Sequence, residues 1–587
     1  MARFDVWAPL ATAVEVEVAE PSKAAGRHPL TYRAGGWWSR DLPDAGPGDD
    51  YSYRLATEEG QEVGEPLPDP RSRWQPSGVD GPSRLYDDTA FAWTDDRWRG
   101  LPLAGSVLYE LHVGTFTSEG TFDAAIERLD HLVELGVDAV ELLPCNAFGG
   151  RHGWGYDGVD LFAVHDPYGG PDGLKRFVDA AHGRGIGVVM DVVYNHLGPA
   201  GNYLARFGPY FTDTHVTPWG AAVNLDAPGS DEVRAFVLDN ARMWLQDYHV
   251  DGLRLDAVHA LADERATHLL EELAVAVDQL AAQTGRPLFL IAESDLNDPK
   301  LIRPREAGGY GLDAQWCDDV HHALWATLSG ERQGYYVDFG PLAVLAKAMT
   351  KAFVHDGDFS TFRGRRHGRP ATGVPGSRFV TFLQDHDQIG NRAQGDRASA
   401  TLSDGLLQVG AALLLLSPFT PMLFMGEEWG ARTPWQFFSD HSGELGEAVR
   451  TGRRAEFASH GWATEDVPDP QDEATLRNST LDWAEPASER GARLLDWHRR
   501  LIRLRRELPS LSDPDLTHVA VTYDEGARWF VLHRGTVAVA VNLAPDRQII
   551  PLPGTPMRVL LASENGFGFG DGAVEIDGES VAVLDLL

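Results

Sequence analysis

Between residues 4 and 55 apolar and polar positions alternate, as in VEVEVAE, GGWWSRDL and DDYSYRL, with Gly and Pro between the runs. A period of two places successive side chains on opposite faces of an extended chain, so these are short strands with one buried face. They predict a small β-sandwich. PLPDPRSRWQPSGVDGPSR (66–84) follows without a period. Its prolines fix φ, and it reads as an ordered connection laid across a surface.

A different rhythm begins near residue 106. Eight short apolar runs appear: VLYELHV, AVELLP, GVVMDVVYN, GLRLD, LFLIAES, GLDAQW, FVTFLQDHD and PMLFMGEE. Between them lie stretches with apolar residues three and four apart, such as TFDAAIERLDHLVELG, GGPDGLKRFVDAAHGRG and SDEVRAFVLDNARMWLQDY. Strands alternating with amphipathic helices are the pattern of a parallel sheet with helical crossovers. Eight repeats predict an α/β fold, a (β/α)₈ TIM barrel whose active site forms where the strands end. The connection after the third run (197–228) is long and rich in Gly, Pro and aromatics, which predicts an excursion forming a cleft wall above that face. After residue 506, THVAVTY, RWFVLHR and VAVAVNL alternate again. The expected division is an N-terminal β-sandwich over 1–90, the barrel over 91–505 and a C-terminal β-sandwich over 506–587.

Composition narrows the partners. Of 587 residues 43% are hydrophobic and 24% charged, ordinary values for a chain with a sizeable core. Lys and Arg number 51 against 87 Asp and Glu, a net charge of −36, which repels phosphate backbones and anionic membranes. Neither nucleic acid nor membrane is an expected partner. Cys145 and Cys317 are the only cysteines, too few for a disulfide framework or a multi-cysteine zinc site. With no leader-like start and no run of about 18 apolar residues, a cytoplasmic setting is expected.

Several barrel runs end in polar clusters: Asp191 with Asn195 and His196, Arg254 with Asp256, Glu293, and Asp385 with His386 and Asp387. A single acidic strand end is ordinarily a cap or a turn carboxylate. Four on one barrel face favour catalysis. Cleaving an acetal needs a protonated carboxyl at the leaving oxygen and a carboxylate at the anomeric carbon. Negative neighbours Asp256 and Asp387 should hold the proton on Glu293, and Arg254 should keep Asp256 ionised.

In order, DVVYNH, GLRLDAVHA, IAESD and LQDHDQIGN resemble the four catalytic segments of the α-amylase family of glycoside hydrolases and transferases. The resemblance implies that Asp256 is the nucleophile, Glu293 the general acid and base, and Asp387 the carboxylate that fixes the sugar. It also implies that Trp154 and Tyr156 in GWGYDG wall the attacked sugar, that His196 and His386 bind its hydroxyls, and that the N-terminal sandwich is like a carbohydrate-binding module. The chain departs from the family at His259 and Ala260, where Lys then His is common, which alters the leaving-side contacts. Asp385 stands where Asn is common, neutral or paired with an arginine.

AVELLPCNAFGGRHGWGYDGV, LIAESDLNDP, YGLDAQWCDDVHHAL and LFMGEEWG resemble the trehalohydrolase branch of that family. This implies a retaining hydrolase that cuts the α-1,4 bond next to the terminal trehalose of maltooligosyltrehalose, in functional coupling with the enzyme that forms this substrate. The alternative is a glycogen branching enzyme, which shares the sandwich and barrel but transfers to a sugar 6-hydroxyl. Trehalose-side contacts are expected from Trp219, Phe362 and Arg363, although Trp219 also suits packing and the arginines a solvated surface. No cofactor is expected, since acid and base chemistry on an acetal needs only carboxylates. No metal is expected either: Asn195 resembles one ligand of a calcium site in some relatives, but no full oxygen set is evident.

Overall fold

In a computed structural model of the chain, the described residues are 1–58, 62–217, 220–458 and 467–587. Eight parallel strands close the central barrel: β1 (Leu108–Leu111), β2 (Ala139–Leu142), β3 (Gly187–Val192), β4 (Gly252–Leu255), β5 (Phe289–Ala292), β6 (Ala314–Trp316), β7 (Phe379–Thr381) and β8 (Thr420–Phe424). These are the eight apolar runs. Their order around the barrel follows the chain, and β8 pairs with β1 to remove both edges.

The alternation within each strand sorts the barrel interior by height. Leu108, Ala139, Val189, Phe289, Ile291, Ala314, Val380 and Met422 pack into one buried cluster that fills the lower barrel. Residues two further along a strand face the same way. The interior layer above this plug is therefore polar: Glu110, Glu141, Asp191 and Arg254, all nearly inaccessible. Apolar packing below and charge above direct the chemistry to one end.

Helices Gly170–His182, Ser230–Gln246 and Leu269–Thr284 connect β2 to β5 in turn, and Asp318–Ser329 and Asp404–Leu415 follow β6 and β7. The expected repeat of strand then helix fails between β5 and β6, where only the short 3₁₀ turns Pro299–Leu301 and Arg305–Ala307 occur. Pro299, Pro304 and the left-handed Gly308 and Gly311 prevent helix continuation there.

At the N-terminus, strands Ala2–Trp7, Thr31–Tyr32 and Trp37–Leu42 form one sheet, and Ala13–Val18, Gly26–Pro29, Asp50–Ala56 and Ser83–Arg84 the other. The excursion holds a short helix, Leu204–Phe207, and a hairpin of Phe211–Thr217 with Gly220–Val223. The sandwich buttresses this wall: Trp7 meets Tyr210 edge to face at 5.3 Å, and Tyr53 meets Phe207 at 6.5 Å. Beyond helix Glu489–Glu507, five-stranded and three-stranded antiparallel sheets complete the chain. Buried Arg534 ties them to the barrel by donating to the Leu416 carbonyl at 3.0 Å. Among the described residues no helix is long and apolar enough to cross a membrane.

Candidate active site

Arg254, completely buried on β4, organises the polar layer. Its Nη1 donates to both Asp191 oxygens at 2.9 and 2.8 Å and to Asp256 Oδ1 at 2.8 Å, while Nη2 lies 3.7 Å from Glu293 Oε2. The Trp316 ring lies 4.4 Å from the guanidinium carbon. One fixed cation thus reaches three carboxylates, and a planar guanidinium does this where a lysine would not.

Asp256 is held from a second side by Asn195, whose Nδ2 donates to its Oδ2 and to its main-chain carbonyl, both at 2.8 Å. Asn195 therefore has a use that requires no metal. After the nucleophile candidate the chain turns through Ala257, a non-glycine residue at φ 41°. This strained turn aims the Ala257 N–H at Glu293 Oε2, 2.6 Å away, and Val258 N–H donates to the Glu293 carbonyl at 3.0 Å.

Burial is the largest influence on Glu293. It outweighs the opposing pull of Arg254 and, with Asp256, Asp318 and Asp387, raises the carboxyl pKa to about 8. The expected charge argument is therefore incomplete. Desolvation leads, and Asp318, at the start of the helix after β6, adds more than Asp387 does. Asp191 rises to about 6, again through burial, against Arg254.

His386 is charged for a related reason. Burial opposes the proton, but Glu110 and Asp387 prevail and bring its pKa to about 10. Its Nδ1 lies 2.5 Å from Glu110 Oε1, and its Nε2 lies 3.6 Å from Asp387 Oδ1. Asp387 itself is about half exposed. Among the described residues Asp385 has no arginine as a hydrogen-bond partner. It caps the short helix His386–Gly390 by accepting from the Asp387 and Gln388 N–H groups at 2.9 and 3.0 Å. Burial, and then Glu110, push its carboxyl well above the ordinary range.

Tyr156 stacks on His386 with ring centres 5.0 Å apart and donates its hydroxyl to Asp191 at 2.6 Å. Trp154 stands behind it, stacked on Trp435 at 5.3 Å with its Nε1 on the Gln436 carbonyl. His196, expected to bind sugar hydroxyls, lies with Nδ1 2.5 Å from Asn195 Oδ1 and Nε2 2.9 Å from the Tyr156 carbonyl. A cavity of about 640 Å³ opens beside Trp154, Tyr156 and His196, with Phe211 of the excursion and Phe437 opposite.

On the Glu293 side, His259 is exposed on the turn Val258–Ala260. Phe362 is 53% exposed between the paired strands Phe359–Ser360 and Arg365–Arg366, edge-on to Tyr335 at 6.1 Å. Arg363 donates to Asp295 Oδ2 at 2.8 Å, so it is not simply a solvated charge. Trp219 lies outside the described residues. Sequence reasoning missed Glu110, Trp316, Asp295 and Asp318. Glu110 and Trp316 sit at strand ends like the residues it found, whereas Asp295 and Asp318 acquire their surroundings only from distant loops.

Three family descriptions match: carbohydrate-binding module 48 over residues 1–70, the α-amylase catalytic domain over 82–209, and a domain of unknown function over 514–583. A malto-oligosyltrehalose trehalohydrolase of Arthrobacter ramosus is 56% identical over 100% of this chain and 99% of its own. The chain belongs to the malto-oligosyltrehalose trehalohydrolase family. A trehalohydrolase of Saccharolobus solfataricus is 43% identical over 86% of the chain and 85% of its own. A branching enzyme of Xanthomonas campestris is only 29% identical, over 74% of the chain and 60% of its own. The crystal structure of a putative α-amylase from Salmonella typhimurium superposes with a TM-score of 0.89 at 38% identity, over 99% of this chain and 97% of that one. Trehalohydrolase relatives thus match at both ends as well as in the barrel.

Proposed function

We propose that this chain is a retaining glycoside hydrolase that releases trehalose from maltooligosyltrehalose by cutting the adjoining α-1,4 bond. The observation that carries the chemistry is a buried Glu293 carboxyl, its pKa raised to about 8, beside Asp256, with one guanidinium reaching both. Glu293 gives its proton to the glycosidic oxygen as Asp256 bonds to the anomeric carbon, and trehalose leaves. Ionised Glu293 then takes a proton from water, whose oxygen displaces Asp256 and frees the shortened maltooligosaccharide. Asp387 and Asp191 hold negative charge near the oxocarbenium-like transition state. Tyr156, Trp154, His386 and His196 form the wall for the attacked sugar. His259, Phe362, Arg363 and Trp219 belong to the trehalose side.

The substrate class is α-glucan, and its trehalose end must come from an enzyme that isomerises a terminal α-1,4 linkage to α-1,1. The two buried free thiols, Cys145 and Cys317, suit a reducing, cytoplasmic setting. Incubation with maltooligosyltrehalose, plain maltooligosaccharide and amylose tests the reading. Trehalose release with little action on amylose is expected. New α-1,6 branches without trehalose would transfer the chain to the branching reaction.

A further inference from the structure

Behind the Glu293 loop lies a second cavity of about 490 Å³, whose lining includes Val258, His259 and Ser294 as well as Lys300, Arg303 and Arg369. In a chain of net charge −36, the lining brings together Lys300, Arg303 and Arg369 with one carboxylate, Asp298. Their partners are sparse. Lys300 Nζ donates to the Tyr310 hydroxyl at 2.9 Å, and Arg303 reaches only the Pro370 carbonyl at 3.4 Å. Among the described residues neither has a carboxylate within ion-pair distance, and Arg369 has Asp298 at 3.8 Å. Three cations against one carboxylate leave about two uncompensated positive charges, the charge of a phosphate dianion.

We propose that this cavity binds a phosphate dianion, free or esterified to a sugar, at Lys300, Arg303 and Arg369. Charge-assisted hydrogen bonds from these three would hold the phosphate oxygens. A sugar carried on the phosphate has room to extend toward His259 and Ser294, because the cavity exceeds the roughly 30 Å³ share of one water by more than tenfold. Tyr310 is not a stacking platform, since His268 lies parallel to its ring at 4.5 Å and Lys300 Nζ lies 4.3 Å from the ring centre. The site is thus selective by charge and not by ring stacking. One wall carries Val258, on the turn that positions Glu293, and His259, assigned above to the trehalose side, so an occupant lies against the catalytic loops next to the leaving-side cleft.

Titration calorimetry with glucose 6-phosphate, inorganic phosphate and glucose at fixed ionic strength tests this independently of glucan hydrolysis. Both phosphates should give saturable binding and glucose none. Tighter binding of glucose 6-phosphate would identify the sugar ester as the occupant, and equal binding free phosphate. Lys300→Met and Arg303→Met should each weaken binding at least about tenfold, the loss of one charge-assisted contact, with hydrolysis in phosphate-free buffer unchanged. Hydrogen exchange of the unaltered protein should show phosphate-dependent protection in 258–261 and 296–310. No saturable binding, unaltered affinity in both variants, or protection confined to other segments would overturn the proposal.

Discussion

At the residue scale the proposed chemistry depends on Asp256 as nucleophile and Glu293 as acid and base. Asp256→Ala and Glu293→Gln should each lower turnover of maltooligosyltrehalose at least about a thousandfold while the circular dichroism stays that of the unaltered protein. Near-normal turnover in either would remove that residue from the mechanism. Because Glu293 is the acid in the proposed mechanism and its pKa is raised to about 8, kcat/KM should fall as pH rises through that value. Removing the negative charge of Asp256 lowers this pKa, so any residual activity of Asp256→Asn should lose its alkaline limb at lower pH. His386 has the reverse dependence on its partner. In Glu110→Gln the imidazolium loses its main counter-charge, and its pKa, measured by NMR, should drop from about 10 toward the ordinary histidine range.

At the element scale, the proposed specificity rests on segments that leave the barrel between strands. Asp295 in the loop after β5 grips Arg363 in the pair of short strands that follow β6, at 2.8 Å with side chains 45% and 20% exposed. Such a half-exposed pair contributes only about 0–1 kcal/mol to stability. Asp295→Asn should therefore leave the melting temperature nearly unchanged and show itself as a raised KM for the trehalose-ended substrate. Phe362→Ala and Trp219→Ala should raise cleavage of plain maltooligosaccharide relative to that substrate by roughly tenfold or more, if each supplies a stacking face worth about 1–3 kcal/mol. Product ratios from the two substrates in competition read this directly, and unchanged ratios would return these rings to packing roles. The excursion has a structural dependence too. Trp7, 4% exposed, packs on Tyr210, so Trp7→Ala should cost about 3–5 kcal/mol and loosen a cleft wall from outside the barrel.

At the scale of the whole molecule, the carboxylates around Arg254 come from barrel strands and the loops at their ends, while the flanking sandwiches supply support. Acid and base chemistry of this kind needs no metal, and Asn195 is already engaged with Asp256. Full activity after exhaustive chelation is the expected outcome. Complete loss that calcium reverses would refute it.

The eight strands and the flanking sheets were legible because hydrophobic periodicity records which faces are buried, and closure leaves few arrangements for eight parallel runs. Asp191, Arg254, Asp256, Glu293 and His386 were legible because each sits at a strand end within a recognisable segment. The missing crossover helix between β5 and β6 was readable in principle from Pro299, Pro304 and the glycines. Other features belong to tertiary structure alone. The sequence places Glu110 more than 270 residues from His386, yet their contact sets the charge of the site. Desolvation of Glu293 arises from everything packed around it, and no local motif records that sum. Asp318 joins the catalytic group, Asp295 meets Arg363, and three scattered cations converge on one cavity for the same reason. Local pattern determines which residues face inward; only the closed fold determines which inward-facing groups meet and how little water remains between them.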